Sequence, residues 1–169
     1  MDVCCDYRVN VSCLLFYSNI KYLYAWSELQ ARQFDSEVLN VFVKDDILFV
    51  NCMSGMKRIV DDLDTIPDVQ EMALVKHCVG PNAACPTDEL YALVSYDGVY
   101  LFDGYKTFCI SEPGEGLGNV KDYFDSNYYD VSESVLFYRK KHLYVSVKST
   151  GGTRSLLDCY LPTAAWKVT

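Results

Sequence analysis

A pattern of two apolar runs joined by a short polar turn recurs four times along the chain. The apolar runs show the alternation of a half-buried strand most clearly over residues 142–147. There Leu143, Val145 and Val147 occupy one face, and polar or aromatic residues occupy the other. Such paired runs are typical of β-hairpins. The four predicted turns are Ser18-Asn19, Lys44-Asp45-Asp46, Tyr96-Asp97-Gly98 and Arg139-Lys140-Lys141.

Two Asp-Gly pairs mark structural turns. Asp97-Gly98 and Asp103-Gly104 follow apolar runs, and Asp-Gly supports the positive φ angles that tight hairpin turns require. A further apolar run at Thr107–Ile110 follows the second pair. The segment from Leu90 to Ile110 therefore predicts three or four antiparallel strands.

The repetition predicts an all-β fold of antiparallel hairpin repeats, with β-propeller-like blades in a complete or incomplete ring. The blade-like units are expected within a single domain, residues 1–169. A period of roughly 40–50 residues is typical of four-stranded propeller blades. The turns are unevenly spaced, however, and the pattern alone is equally compatible with a β-sandwich. The units lie near residues 11–30, 39–60, 88–112 and 132–168.

Few segments predict helix. Lys57 to Leu63 is compatible with a short turn or helix that ends before Pro67. The acidic and aromatic stretch from Lys121 to Ser134 is interpreted as a linker between blades. Strands should therefore account for most of the regular structure.

Composition agrees with a strand-rich protein and argues against nucleic-acid recognition. Aromatic residues make up 14% of the 169 residues, and such side chains favour a pleated, half-buried surface. The formal net charge is −8, and the densest basic run is only Arg139-Lys140-Lys141. Specific phosphate binding needs larger clusters of Lys and Arg. An acidic surface could still line a DNA passage, because it repels phosphates.

The sequence predicts neither a membrane protein nor a secreted one. No apolar stretch approaches the ~20 residues of a membrane helix. The N-terminus, Met1–Asp6, lacks the basic and apolar regions of a signal peptide. The chain is therefore expected to be made in a cytoplasm. There, most of its eight cysteines should be free, buried thiols that pack as small hydrophobic residues.

Catalytic, metal and cofactor sites are not predicted. The two histidines, His77 and His142, have no convincing nucleophile beside them, because His77 and its neighbour Cys78 should point to opposite faces of a strand. The spacing of Cys78 and Cys85 does not match a zinc site. The glycine-rich stretch at 114–118 lacks the residues of a phosphate-binding loop.

Aromatic side chains are the candidate binding residues. Tyr and Trp are enriched at protein interfaces, which makes five of them candidate interface residues. Glycan stacking is the alternative interpretation of the same residues. The five are Tyr22, Tyr24, Trp26, Tyr128 and Tyr129.

Three segments together resemble a known family. Asn19–Val43 has an apolar-Tyr strand entry, and His77–Gly104 combines a His-Cys-Val-Gly-Pro start with a later Asp-Gly-Val-Tyr strand and a second Asp-Gly. Ser134–Val168 has a closing strand pair followed by Asp-Cys-Tyr and a late Trp. Across residues 15–169 the chain resembles β-propeller-containing tail and neck proteins, of the nozzle or hub type, from tailed bacteriophages. This chain is shorter than those proteins usually are.

The resemblance implies a non-enzymatic virion structural protein, without cofactors, at the tail or head-tail junction. Its partners would be other tail or neck proteins, and it would form a homo-oligomer or ring. Two alternatives come from other classes. One is an intracellular β-propeller-like interaction module, and the other is a glycan-binding domain.

Overall fold

The computed structural model describes residues 14–16, 31–60, 68–112 and 120–168. By its contacts the chain divides into two compact units, residues 1–71 and 72–169. Each unit is described separately below.

The N-terminal unit contains a two-stranded pair and a four-stranded antiparallel sheet, the first sheet. In the pair, Leu15 lies opposite Arg32. The first sheet is a meander whose strands follow chain order. The strands are β1 (Leu14–Phe16), β2 (Ala31–Gln33), β3 (Val38–Lys44), β4 (Ile47–Cys52), β5 (Gly55–Val60) and β6 (Asp68–Glu71).

The core of the first sheet forms on one face, where apolar residues of neighbouring strands meet. Phe34, Val50, Cys52 and Ile59 are buried together there. Lys57 is also buried, and its ammonium lies 2.7 Å from Asp35 and 3.3 Å from Glu71. Burial acts to lower the pKa of Lys57, but hydrogen bonds to the two carboxylates outweigh it and leave that pKa raised.

The C-terminal unit contains two further four-stranded antiparallel meanders, the second and third sheets, among its described residues. The second sheet consists of β7 (Ala84–Pro86), β8 (Tyr91–Ser95), β9 (Gly98–Phe102) and β10 (Thr107–Cys109). The third consists of β11 (Tyr129–Arg139), β12 (His142–Ser149), β13 (Arg154–Tyr160) and β14 (Ala165–Val168).

The second and third sheets are joined by contacts along β11 and β14. The Leu136 amide donates to the Asn82 carbonyl at 2.9 Å. The Trp166 indole N–H donates to the Ile110 carbonyl at 2.6 Å. Gly80 packs so closely against the Ser132 carbonyl that an added Cβ would overlap it. These contacts hold the two meanders as one packed unit.

The predicted all-β class is confirmed, and the sheets repeat more evenly than the turns suggested. The first strands of the three sheets begin at Val38, Ala84 and Tyr129, a period of about 45 residues that matches a blade-like repeat. Ring closure and the single domain stay predictions.

Two local predictions from the sequence were wrong. Lys57 to Val60 belongs to strand β5 (Gly55–Val60), because its cross-strand partners in β4 and β6 override the weak helical signal. Within the predicted linker, residues 121–124 form a short 3-10 helix, and residues 129–134 already belong to β11. That helix is the only helical element in the described ranges.

Candidate interaction surface

The third sheet is buried on one face only. Its inward positions are fully or almost fully buried, and alternation along the strands places them on the same side. The second sheet differs, since five consecutive residues of β8, Tyr91–Ser95, are buried whichever side they face. The third sheet therefore presents a face that the described residues leave partly open. The buried inward residues are Leu136, Leu143, Val145, Val147, Leu157 and Cys159.

The open side carries a group of rings, which we call the aromatic face: Phe137, His142, Tyr144 and Tyr160. Register brings them together, because Phe137 pairs with Tyr144 and His142 pairs with Tyr160. The Phe137 and Tyr144 rings stack at 4.7 Å between centroids, and the His142 and Tyr160 rings lie 5.1 Å apart. Phe137 is nevertheless 47% exposed and Tyr160 is 39% exposed. Ring area that is ordered but still solvated suits a contact surface.

A histidine-carboxylate pair is part of this face. His142 Nδ1 lies 2.6 Å from Asp158 Oδ1, and the imidazole also stacks on Tyr144. Catalysis by such a pair would need a nucleophile beside it. Cys159 is the neighbouring thiol in sequence, but it points to the opposite, buried face. The pair therefore orients the imidazole within the aromatic face.

Basic side chains border the aromatic face at one end. Arg139 lies opposite His142, and Lys140 and Lys141 form the exposed two-residue loop between β11 and β12. Lys167 is exposed in the same cross-strand row as Asp158. None of the described carboxylates forms an ion pair with Arg139, Lys140 or Lys141. Asp88 and Glu89 line a cleft with Lys141 on one side of this rim, and Arg139 and Lys140 lie outside that cleft lining. In a chain of net charge −8, three consecutive basic residues still make this rim locally more positive than the rest of the sequence.

Two of the predicted interface residues lie at the other end of the third sheet. Tyr128 is 66% exposed, and its carbonyl accepts a 2.8 Å hydrogen bond from the Thr150 amide. Tyr129 opens β11, with its ring 5.3 Å from that of Tyr123. Tyr129 also lines a cleft of about 450 Å³ together with Tyr96 and Lys148. Tyr22, Tyr24 and Trp26 lie outside the described residues.

The β11 backbone shapes this cleft. Pairing with β12 is interrupted between Asp130 and Val135, which places a bulge beside the cleft. Bulges often re-aim side chains near binding surfaces. In the bulge, the Ser132 hydroxyl donates to the Asp130 carboxylate at 2.6 Å. The lining is therefore mixed, with aromatic rings, hydroxyls and one residue of each charge.

The predicted turn residues occupy two loops of the second sheet. Tyr96 and Asp97 form the two-residue loop between β8 and β9, and Gly98 is the first residue of β9, at φ +152°. Burial acts to raise the pKa of Asp97, but hydrogen bonds from Lys76 and Tyr100 outweigh it and lower that pKa. These residues belong to a loop of the second sheet, whereas the aromatic face lies on the third.

Asp103 and Gly104 begin the loop between β9 and β10. The Asp103 carboxylate accepts hydrogen bonds from the amides of Tyr105 and Lys106, at 2.8 and 2.9 Å. These bonds, above all the one from Lys106, lower the pKa of Asp103. Gly104 has a positive φ of +106°. The pair thus closes the loop by an Asx turn followed by a glycine.

The described cysteines are placed for packing. Cys52, Cys78 and Cys159 are buried, and Cys85 and Cys109 are half-buried. Burial raises the pKa of Cys85 and of Cys159 to about 12. A thiol that stays protonated near neutral pH is a poor nucleophile.

Two other classes of site are not found in the described ranges. Across residues 14–16, 31–60, 68–112 and 120–168, no group of three His, Cys, Asp or Glu side chains is placed to hold a metal ion. No helix in those same ranges is long and apolar enough to cross a membrane.

The aromatic face was not predicted from the sequence, although the strand alternation that contributes to it was visible there. Alternation over 142–147 already placed His142 and Tyr144 on the side opposite the buried residues. What could not be known is that Phe137 and Tyr160 join them, since that depends on cross-strand register.

The comparisons with known proteins give no family assignment. No protein-family model matches the chain, and no curated protein matches it.

Proposed function

We propose that this chain is a non-enzymatic structural protein of a bacteriophage virion, at the tail or head-tail junction. It works by binding other tail or neck proteins and further copies of itself. The observation that carries this proposal is the open aromatic face of the third sheet. Phe137 and Tyr160 stay exposed there on a sheet whose other side is buried.

The energetics of that face support the assembly role. Covering apolar surface contributes roughly 25 cal/mol per Å², and aromatic residues commonly supply the central contacts of interfaces. The rings are already ordered by stacking, so that little side-chain entropy is lost when a partner binds. We propose the virion particle as the place of assembly because the sequence resembles phage tail and neck proteins.

The test is quantitative mass spectrometry of purified particles from the phage that encodes the chain. A structural role predicts a fixed, integral number of copies in every preparation. An intracellular interaction module would instead remain in the host lysate and be lost on purification. Absence from purified particles would refute the proposal.

The cleft beside Tyr129 favours glycan binding as a second candidate function. Its Tyr96 and Tyr129 rings could stack on a sugar, and the Ser132 and Thr150 hydroxyls could bond to sugar hydroxyls. Calorimetric titration with glucose, galactose and N-acetylglucosamine tests this. Binding that is lost in Tyr96→Ala would support the function, and no heat at millimolar sugar would reject it for these probes.

A further inference from the structure

Net charge restricts how two copies of this chain can approach each other. At −8 each, two copies repel except where one presents concentrated positive charge. In the described part of the chain, the rim of Arg139, Lys140 and Lys141 beside the aromatic face is such a place. A second copy would therefore bind there through an acidic surface.

The hairpin between β3 and β4 supplies a matching surface. Its two-residue loop is Asp45-Asp46, both exposed. Asp45 also lies 3.3 Å from the largely buried Lys44 ammonium, so Asp46 and the outer side of Asp45 carry the accessible negative charge. Val43, two residues before Asp45 on edge strand β3, is 61% exposed. We call Val43, Asp45 and Asp46 the acidic hairpin tip. An exposed apolar side chain beside two carboxylates complements aromatic rings beside two ammonium groups.

We propose that the aromatic face of one copy binds the acidic hairpin tip of a second copy. This inference rests on the proposed function and names the self-contact within it. Val43 would pack on Phe137 and Tyr144, while Asp45 and Asp46 meet Lys140 and Lys141. Because two different patches meet, the contact is head-to-tail and leaves each copy with one free patch. Such contacts build closed rings or open filaments.

The two loops share a backbone geometry, so that lysines and aspartates can replace each other in them without a change of backbone. Asp45 and Asp46 have φ of 50° and 61°, and Lys140 and Lys141 have φ of 51° and 68°. Each loop joins the first and second strands of its sheet, with both central residues at positive φ, as in a type I′ turn. Each loop sequence is thus already accommodated by the other's backbone. In the all-acidic variant, Lys140→Asp with Lys141→Asp, both loops carry two aspartates. In the all-basic variant, Asp45→Lys with Asp46→Lys, both loops carry two lysines.

The experiment is sedimentation velocity of the full chain from about 1 to several hundred micromolar, at low and high salt. The wild type should associate, and salt should weaken the association. Each variant alone should associate at least about tenfold more weakly, because its two patches now carry like charges. Mixing the two variants should restore association, since opposite charges again meet at every contact.

A second pair of variants tests the rings. Phe137→Thr removes an exposed ring from the aromatic face and should weaken association. Tyr105→Thr removes a ring that is 73% exposed in the loop between β9 and β10, and it should leave association unchanged. Circular dichroism of all four variants should match the wild type.

The outcomes separate this inference from the proposed function. A monomeric wild type at every concentration, or association that the charge variants and Phe137→Thr leave unchanged, would overturn the self-contact. Failure of the mixed variants to associate would overturn the pairing of these two loops. None of these results alters the copy number in purified particles. That number alone decides whether the chain is a virion component.

Discussion

A methyl group added at Gly98 is expected to destabilise the C-terminal unit strongly. Gly98 has φ +152°, and its added Cβ would overlap the Ser111 hydroxyl oxygen. That oxygen accepts a 3.0 Å hydrogen bond from the Val99 amide and is buried. The alanine variant therefore strains the backbone and also displaces a hydrogen-bond acceptor.

The two effects can be given magnitudes. A side chain forced into a backbone region that favours glycine costs about 1–3 kcal/mol. Leaving the Val99 amide buried without an acceptor costs about 1–3 kcal/mol more. Gly98→Ala should then lower the free energy of unfolding by about 2–6 kcal/mol. Gly55→Ala has the matched φ of +149° and no atom within 4 Å of the added Cβ, so only the strain should remain.

The assay is urea unfolding followed by circular dichroism and tyrosine fluorescence. Gly152→Ala serves as a control within the same unit, because its added Cβ also meets no atom within 4 Å. In a Ser111→Ala background the overlapping oxygen is gone, so Gly98→Ala should cost about 1–3 kcal/mol less than in the wild type. Equal losses for Gly98→Ala and Gly55→Ala, or costs that simply add with Ser111→Ala, would show that the overlap with Ser111 does not destabilise the Gly98→Ala variant.

Three further predictions concern other parts of the chain. Lys141→Gly should raise the free energy of unfolding by up to about 1 kcal/mol, because glycine relieves the positive φ; a lower urea midpoint would count against the type I′ loop. Lys57→Met should lower the free energy of unfolding less than Asp35→Ala does, because Lys57→Met leaves only carboxylates that water can solvate, whereas Asp35→Ala removes a partner of the buried Lys57 ammonium. Urea midpoints in the reverse order would contradict this. Burial raises the pKa of Cys85 and Cys159 from 9.0 to about 12, so the thiols' contribution to the free energy of unfolding should be constant below about pH 9 and fall towards pH 12, measured by urea unfolding at stepped alkaline pH. A profile that Cys85→Ala with Cys159→Ala leaves unchanged would reject that assignment.

Local signals in the sequence were enough to predict the class of fold. The Asp45-Asp46 and Lys140-Lys141 loops fall where apolar runs break, and both are two-residue hairpin loops. Alternation over 142–147 also gave the correct buried side of β12. These features depend only on neighbours in the sequence, which explains why pattern alone could find them.

Features that depend on distant partners were not predictable. Lys57 to Val60 has no strong strand signal of its own, but it pairs with β4 and β6. The aromatic face needs the register that brings Phe137 to Tyr144 and His142 to Tyr160. A shift of one residue would have turned those rings to the buried side. The candidate surface therefore emerged only from the assembled sheet.

Electron cryomicroscopy of the intact phage particle would show both where the chain lies and what covers its aromatic face. We expect density for four-stranded antiparallel sheets of this chain at the tail or head-tail junction. We also expect a neighbouring subunit to cover Phe137, Tyr144 and Tyr160. A particle map without the chain, or one in which these three rings face solvent with no subunit against them, would show that the proposed assembly is wrong.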